Sequence, residues 1–200
     1  MPLPDSLPER KGIDRKPDFL PLISEAFVDR GFRRTTTAEL ATRCGVRENE
    51  LYRIWPSKKA MFLDAIGFVA ESSIQAWSAS LQADSSMTDA EQLIATQSQR
   101  RGDGHLHRLV FSGLSEADDP QIRLALKNLY QRFHEVLTHY VMQHRQRRGI
   151  RSPLSDEATA WALIGLGSVF DIQHDLGQGT MEQRRMSLGE TSTAILNMTK

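Results

Sequence analysis

Between Thr36 and Pro56 the sequence is punctuated so closely that only two short helices fit. Thr36 with Glu39 three residues later has the spacing of a capping box, which opens a helix by satisfying its first free N–H groups. Gly45 permits the left-handed backbone that closes that helix, and Val46 packs beneath the turn. A second short helix then runs from Arg47 to Trp55 and stops at Pro56, while Ser57 caps the next one. Leu40, Ala41 and Cys44 face inward from the first, and Val46, Leu51 and Trp55 form the apolar edge of the second. Ala41 and Gly45 are small where the two helices must cross. A helix, a glycine turn and a helix make the geometry in which the second element is presented to the DNA major groove.

The rest of the chain reads as all-α. Phe19, Leu22, Ile23, Ala26 and Phe27 recur at helical steps and predict a helix over 18–30, closed by Gly31. Pro21 fits it only in a first turn, where no partner for an N–H is lost. A long helix is expected from Ser57 to about Leu81, and others over 88–100, 104–115, 119–147, 156–175 and 180–197. No run alternates β-branched and polar residues, so no sheet is expected. Residues 1–17, with four prolines, read as a mobile N-terminal arm; 18–60 as a three-helix helix-turn-helix head; 61–200 as a C-terminal helical bundle for ligand binding and dimerisation.

Charge sharpens this division. The 200 residues carry 25 basic and 25 acidic side chains, which excludes a strong, sequence-independent attraction to nucleic acid or membrane. Residues 1–60 hold 12 basic and 9 acidic residues, so the balance is a mildly basic head on a mildly acidic body. One cysteine excludes an intramolecular disulfide and fits a reducing, cytoplasmic setting. The longest apolar stretch, 161–170, is broken by Gly165, Gly167 and Ser168 and is too short for a membrane span. Met1 to Asp5 lacks the basic and apolar regions of a signal peptide.

Phe27 followed by Gly31-Phe32, Thr35-Thr36 with Glu39-Leu40-Ala41, Gly45-Val46, and Leu51-Tyr52-Arg53-Ile54-Trp55-Pro56-Ser57-Lys58 together resemble the head of the TetR-type transcriptional regulators over about residues 18–65. Arg148 to Ala158 resembles the entry to a late helix of that family's body. The resemblance implies sequence-specific binding to double-stranded DNA by a homodimer, as a repressor released by a small-molecule effector, without cofactor or enzymatic step. It implies phosphate contacts from Thr36, Tyr52 and Lys58, and base contacts from Arg47, Asn49 and Arg53, since arginine suits guanine and asparagine adenine. The chain departs from the family's usual Ser-Lys-Gly pattern at Arg47-Glu48-Asn49-Glu50. Two carboxylates there favour the helix dipole and oppose a polyanion, each by about 1 kcal/mol or less in high dielectric. The alternative is a dimeric ligand-binding or protein-interaction module whose head no longer binds DNA.

The resemblance also implies an effector pocket in the body, for which the candidate lining is Trp77, Phe111, Tyr130, Phe133 and His134; plain core is the competing reading for each. Trp161, Gly165, Ser168 and Ile172 fall on one helix face with small residues between large ones. With Ile195 they suit a two-fold four-helix dimer interface, against an intramolecular core. Cys44 reads as a small buried spacer. His105 and His107, two apart, point to different sides of a helix, so no metal site is expected, and no triad or phosphate loop supports an enzyme.

Overall fold

The computed structural model describes residues 15–82 and 105–199, with the side chains of 76, 77, 79–82 and 105 outside that description. Residues 1–14 of the expected arm and the helix over 88–100 lie outside the described residues, while Lys16 and Pro17, assigned to that arm, are the first turn of α1. Those described form eight helices: α1 Lys16–Arg34, α2 Thr37–Arg43, α3 Glu48–Ile54, α4 Lys58–Gln82, α5 His105–Leu114, α6 Pro120–Arg148, α7 Asp156–Asp175 and α8 Met181–Leu196.

α1 starts earlier than its periodicity suggested. Pro17 occupies its first turn, and Pro21 therefore falls in the second. Its missing N–H leaves the Pro17 carbonyl without the usual partner, but both prolines are exposed, so water supplies one. The other end is governed by Gly31, at φ 72° and ψ 172°, a left-handed conformation that L side chains avoid. The chain breaks there and makes one more turn to Arg34. The hydroxyl of buried Thr35 donates to the Gly31 carbonyl at 2.7 Å, and the Lys58 ammonium donates to the carbonyls of Phe32 and Thr35 at 2.9 and 3.0 Å. The Phe32 N–H goes to Ser112 Oγ on α5, at 2.8 Å.

α2 ends in a Schellman motif. The Gly45 N–H reaches Thr42 O at 3.1 Å and the Val46 N–H reaches Ala41 O at 3.0 Å, with Gly45 at φ 65°; both bonds use carbonyls that the helix end leaves free. The opening box is only half formed. Glu39 N–H donates to Thr36 Oγ, but the Glu39 carboxylate turns instead to Arg30 and Arg43. α3 shows the complementary half: the Glu50 carboxylate accepts from the Arg47 N–H at 3.2 Å, and arginine has no acceptor to return the bond.

One apolar cluster runs from α1 through α2, α3 and α4 into α5 and α6. It contains Phe19, Ile23 and Phe27 with Leu40, Leu51, Trp55, Phe62, Leu109, Ile122 and Phe133. Packing is thus continuous across residue 60. Phe27, Phe32 and Phe62 form an aromatic triangle with ring centroids 4.9–6.3 Å apart. The Trp55 indole N–H donates to Asp64 at 2.6 Å, so the one polar atom of that buried ring is satisfied. A second cluster joins α6, α7 and α8 through Leu137, Tyr140, Val141, Ala160, Leu163 and Leu196. α8 packs inward through Arg184, Gly189, Ser192 and Leu196. Gly189 is buried on that face.

Arg145 fixes the α6–α7 corner. Only 7% exposed, it donates to Leu154 O, Asp156 Oδ1, Ser152 Oγ and Thr159 Oγ1 at 2.7–3.0 Å. Removing the guanidinium strands a carboxylate and three further acceptors. Arg145→Ala is expected to lower stability by about 3–5 kcal/mol, measured by urea denaturation.

Candidate nucleic-acid interface and ligand cavity

α3 divides by exposure. Leu51 and, just beyond the helix, Trp55 are buried, while Arg47, Glu48, Asn49, Tyr52 and Arg53 are exposed. Asn49, Tyr52 and Arg53 are three and four residues apart and share one face. Thr36 is exposed at the N-terminus of α2, its oxygen accepting the capping bond and its hydroxyl proton left to donate. Lys58 sits differently. Its ammonium lies 4.5 Å above the Phe32 ring and already holds the two α1 carbonyls, which leaves one of its three protons for an outside acceptor.

The two carboxylates of α3 are used within the head. Glu48 accepts from the Thr37 hydroxyl at 2.6 Å. Glu50 accepts from the Arg47 N–H and pairs with Arg15 at 3.5 Å. Their repulsion toward a phosphate is therefore partly offset where they sit. Cys44 is half-buried against the core, and burial pushes its thiol up to about 11, which makes it a poor nucleophile.

In the body, α5, α6 and α7 enclose a cavity of about 90 Å³. Phe111, Tyr130 and Phe133 line it; His134 does not. The His134 ring instead stacks on Trp161, with centroids 4.7 Å apart, and reaches the Glu157 carbonyl at 3.0 Å. The Trp77 side chain lies outside the described residues, as does that of His105. The cavity has a polar end that periodicity did not reveal, formed by His107, Ser168 and Asp171. His107 Nε2 lies 2.9 Å from Asp175 Oδ2, and Arg108 grips the same carboxylate through two bonds of 2.9 and 3.1 Å. Those partners are 67 and 68 residues apart, beyond any local pattern.

α7 carries an exposed apolar face. Trp161 is 49% exposed and Ile172 37%, joined by Val169 and Leu176. Gly165 lies on that face and Ser168 at its cavity edge. Ile195 is half-buried on α8. Among the described residues no helix is long and apolar enough to cross a membrane.

Residues 23–65 match the model of the bacterial regulatory proteins of the tetR family. The head is therefore tetR-like in sequence. A nucleoid occlusion factor SlmA from Vibrio cholerae is 26% identical over 159 residues, 78% of this chain and 81% of the relative. In fold, a TetR-family transcriptional regulator from Cytophaga hutchinsonii superposes with a TM-score of 0.77 at 16% identity, over 95% of this chain and 96% of that one. GusR of Salmonella enterica does so at 0.74 and 17%, over 94% and 97%. The likeness in fold thus extends through the body, whereas the match to the family model is confined to the head.

The Asp175 cluster gives a pH signature. Hydrogen bonding from Arg108, with further help from His107, lowers the Asp175 carboxyl from 3.8 to about 2. Above about pH 4 the carboxylate is charged in folded and unfolded chains alike, and the cluster contributes its full stability. As pH falls from 4 toward 2, the unfolded chain takes up the proton first and that contribution is lost. Asp175→Asn is expected to be less stable at neutral pH and to show a flatter loss of stability between pH 4 and 2, read by denaturant titration at each pH.

Proposed function

We propose that this chain is a dimeric DNA-binding regulator of the tetR family whose hold on its operator is set by a small molecule in the α5–α7 cavity. The observation that carries the reading is the junction at the end of α1. α5 lines the cavity with Leu106, His107, Val110 and Phe111, and the same helix holds the head through Ser112 and Phe32. Arg33 adds a 2.6 Å pair with Glu116 just beyond it. A ligand that moves α5 therefore acts on the head through α1. α4, which joins the head to the body in sequence, is the second route.

In this reading Thr36, Tyr52 and Lys58 meet phosphates, and Arg47, Asn49 and Arg53 read bases. The apolar face of α7, with Trp161, Gly165, Ser168 and Ile172, pairs with its two-fold copy and Ile195 of α8 flanks it. Two heads then lie in successive major grooves about 34 Å apart or somewhat more, and a ligand preferring another spacing releases DNA as a repressor is released. The relatives' name, nucleoid occlusion factor, favours a second reading: a DNA-bound factor that needs no release step. DNA that stays bound while the cavity is occupied would favour it.

Selection from a random DNA pool tests the head. A single enriched near-palindrome is expected, with affinity falling steeply as salt rises; no binding at low salt by a confirmed dimer would overturn the reading. Tyr52→Phe should weaken binding to all sequences about tenfold, as for one hydrogen bond to a charged acceptor. Arg53→Ala should change the selected sequence.

Ser112→Ala tests the junction. It is expected to keep most DNA affinity in the free protein and to reduce the change in that affinity on ligand binding, read by fluorescence anisotropy of the selected site.

A further inference from the structure

The two carboxylates of α3 are held in different ways. Glu50 is half-buried and commits both oxygens to the head: Oε1 accepts from the Arg47 N–H and Oε2 pairs with Arg15. Glu48 is exposed. Its Oε2 accepts from the Thr37 hydroxyl at 2.6 Å, and its Oε1 has no partner among the described residues. Thr37 is the first residue of α2 and Glu48 the first of α3, so this bond ties the two helices of the motif together. A free glutamate samples many rotamers; the Thr37 bond orders this one before any ligand arrives. Glu48 stands one turn ahead of exposed Tyr52, on the same side of α3. The leading residues of the second helix are those that reach base edges in this geometry.

An ionised carboxylate accepts hydrogen bonds and cannot donate one. Its effect in the major groove therefore depends on the base it meets. Guanine presents the acceptors N7 and O6, and thymine the acceptor O4 beside a methyl group; both oppose it. Adenine presents an amino donor flanked by the N7 acceptor. Cytosine presents its N4 amino group with no acceptor beside it, and it alone suits an oxygen that carries negative charge.

We propose that Glu48 is a specificity-determining residue that selects cytosine at one position of each half-site, and that Thr37 is its positioning residue. The selection works mainly by exclusion: the carboxylate lowers affinity for the other bases more than it raises affinity for cytosine. Arg47, Asn49 and Arg53 read by attraction, and Glu48 removes sequences that they would otherwise tolerate. This inference rests on the DNA-binding reading proposed above.

The test is selection from a random DNA pool by the full-length wild-type dimer and by Glu48→Ala. Fluorescence anisotropy then compares four duplexes that differ only at the position where the two selected sequences diverge. The wild-type protein is expected to bind cytosine there about tenfold tighter than any other base, the usual cost of one wrong base pair. Glu48→Ala should bind the four duplexes within about threefold of one another, and unrelated DNA no more weakly than the wild-type protein does. Glu48→Gln, whose amide donates as well as accepts, should readmit guanine and thymine, and it decides alone if Glu48→Ala does not fold. Thr37→Val should lower the cytosine preference, and Thr37→Ser, which keeps the hydroxyl, should retain it; an undiminished preference in Thr37→Val overturns the positioning role. A carboxylate that only ties α2 to α3 would, when removed, weaken binding to all four duplexes alike. That result, or one selected sequence shared by the wild-type protein and the Glu48 variants, overturns the proposal and leaves the regulator standing. No DNA selected at low salt by a confirmed dimer overturns both.

Discussion

The way α1 ends is the constraint from which the rest follows. A helix broken by a left-handed Gly31 leaves carbonyls and an N–H free in a half-buried place, and backbone groups withdrawn from water must find partners. Each partner comes from a different part of the chain: Thr35 from the head itself, Lys58 from the start of α4, Ser112 from α5. Satisfying one broken helix end thus fixes the position of α4 and of α5 against the head. A Cβ on Gly31 would come within 3.2 Å of Ser112 Oγ, so the same glycine also provides the room for that approach.

The head and the cavity are consequently parts of one arrangement. α5 has Phe111 on the cavity side, Ser112 on the head side and His107–Arg108 gripping the end of α7. A helix of ten residues with three such attachments has few ways to move by itself. Arg145 plays the matching role at the opposite corner, where it sets the angle between the two helices that supply the other cavity walls.

What was legible in the sequence was local. Thr36, Gly45, Ser57, Asp119 and Ser155 mark helix boundaries because caps and turns depend on residues within a few positions. The head was legible for the same reason, its motif falling within about 40 consecutive residues. The half-formed capping box shows the limit: Glu39 has the spacing to close it, yet Arg30 and Arg43 compete for the carboxylate. The site in the body was legible only as aromatic candidates. Phe111, Tyr130 and Phe133 reach the cavity, whereas His134, on the same helix as Tyr130, turns to Trp161. In the sequence His107 is only a histidine two residues from His105, with no metal site expected, and its partner Asp175 is on another helix altogether. No periodicity of three or four joins residues so far apart.

The unbroken apolar cluster from Phe19 to Phe133 bears on modularity. In many regulators a reading head is thought of as a cartridge to be exchanged between bodies. Here Phe27, Trp55 and Phe62 pack in one core with Leu109 and Ile122, so a cut near residue 60 would run through a hydrophobic interior. A transplanted head would carry an oily underside shaped for this α5 and this α6. A chimaera would therefore have to bring α4, α5 and the first half of α6 along with the head, making the exchangeable unit most of the protein.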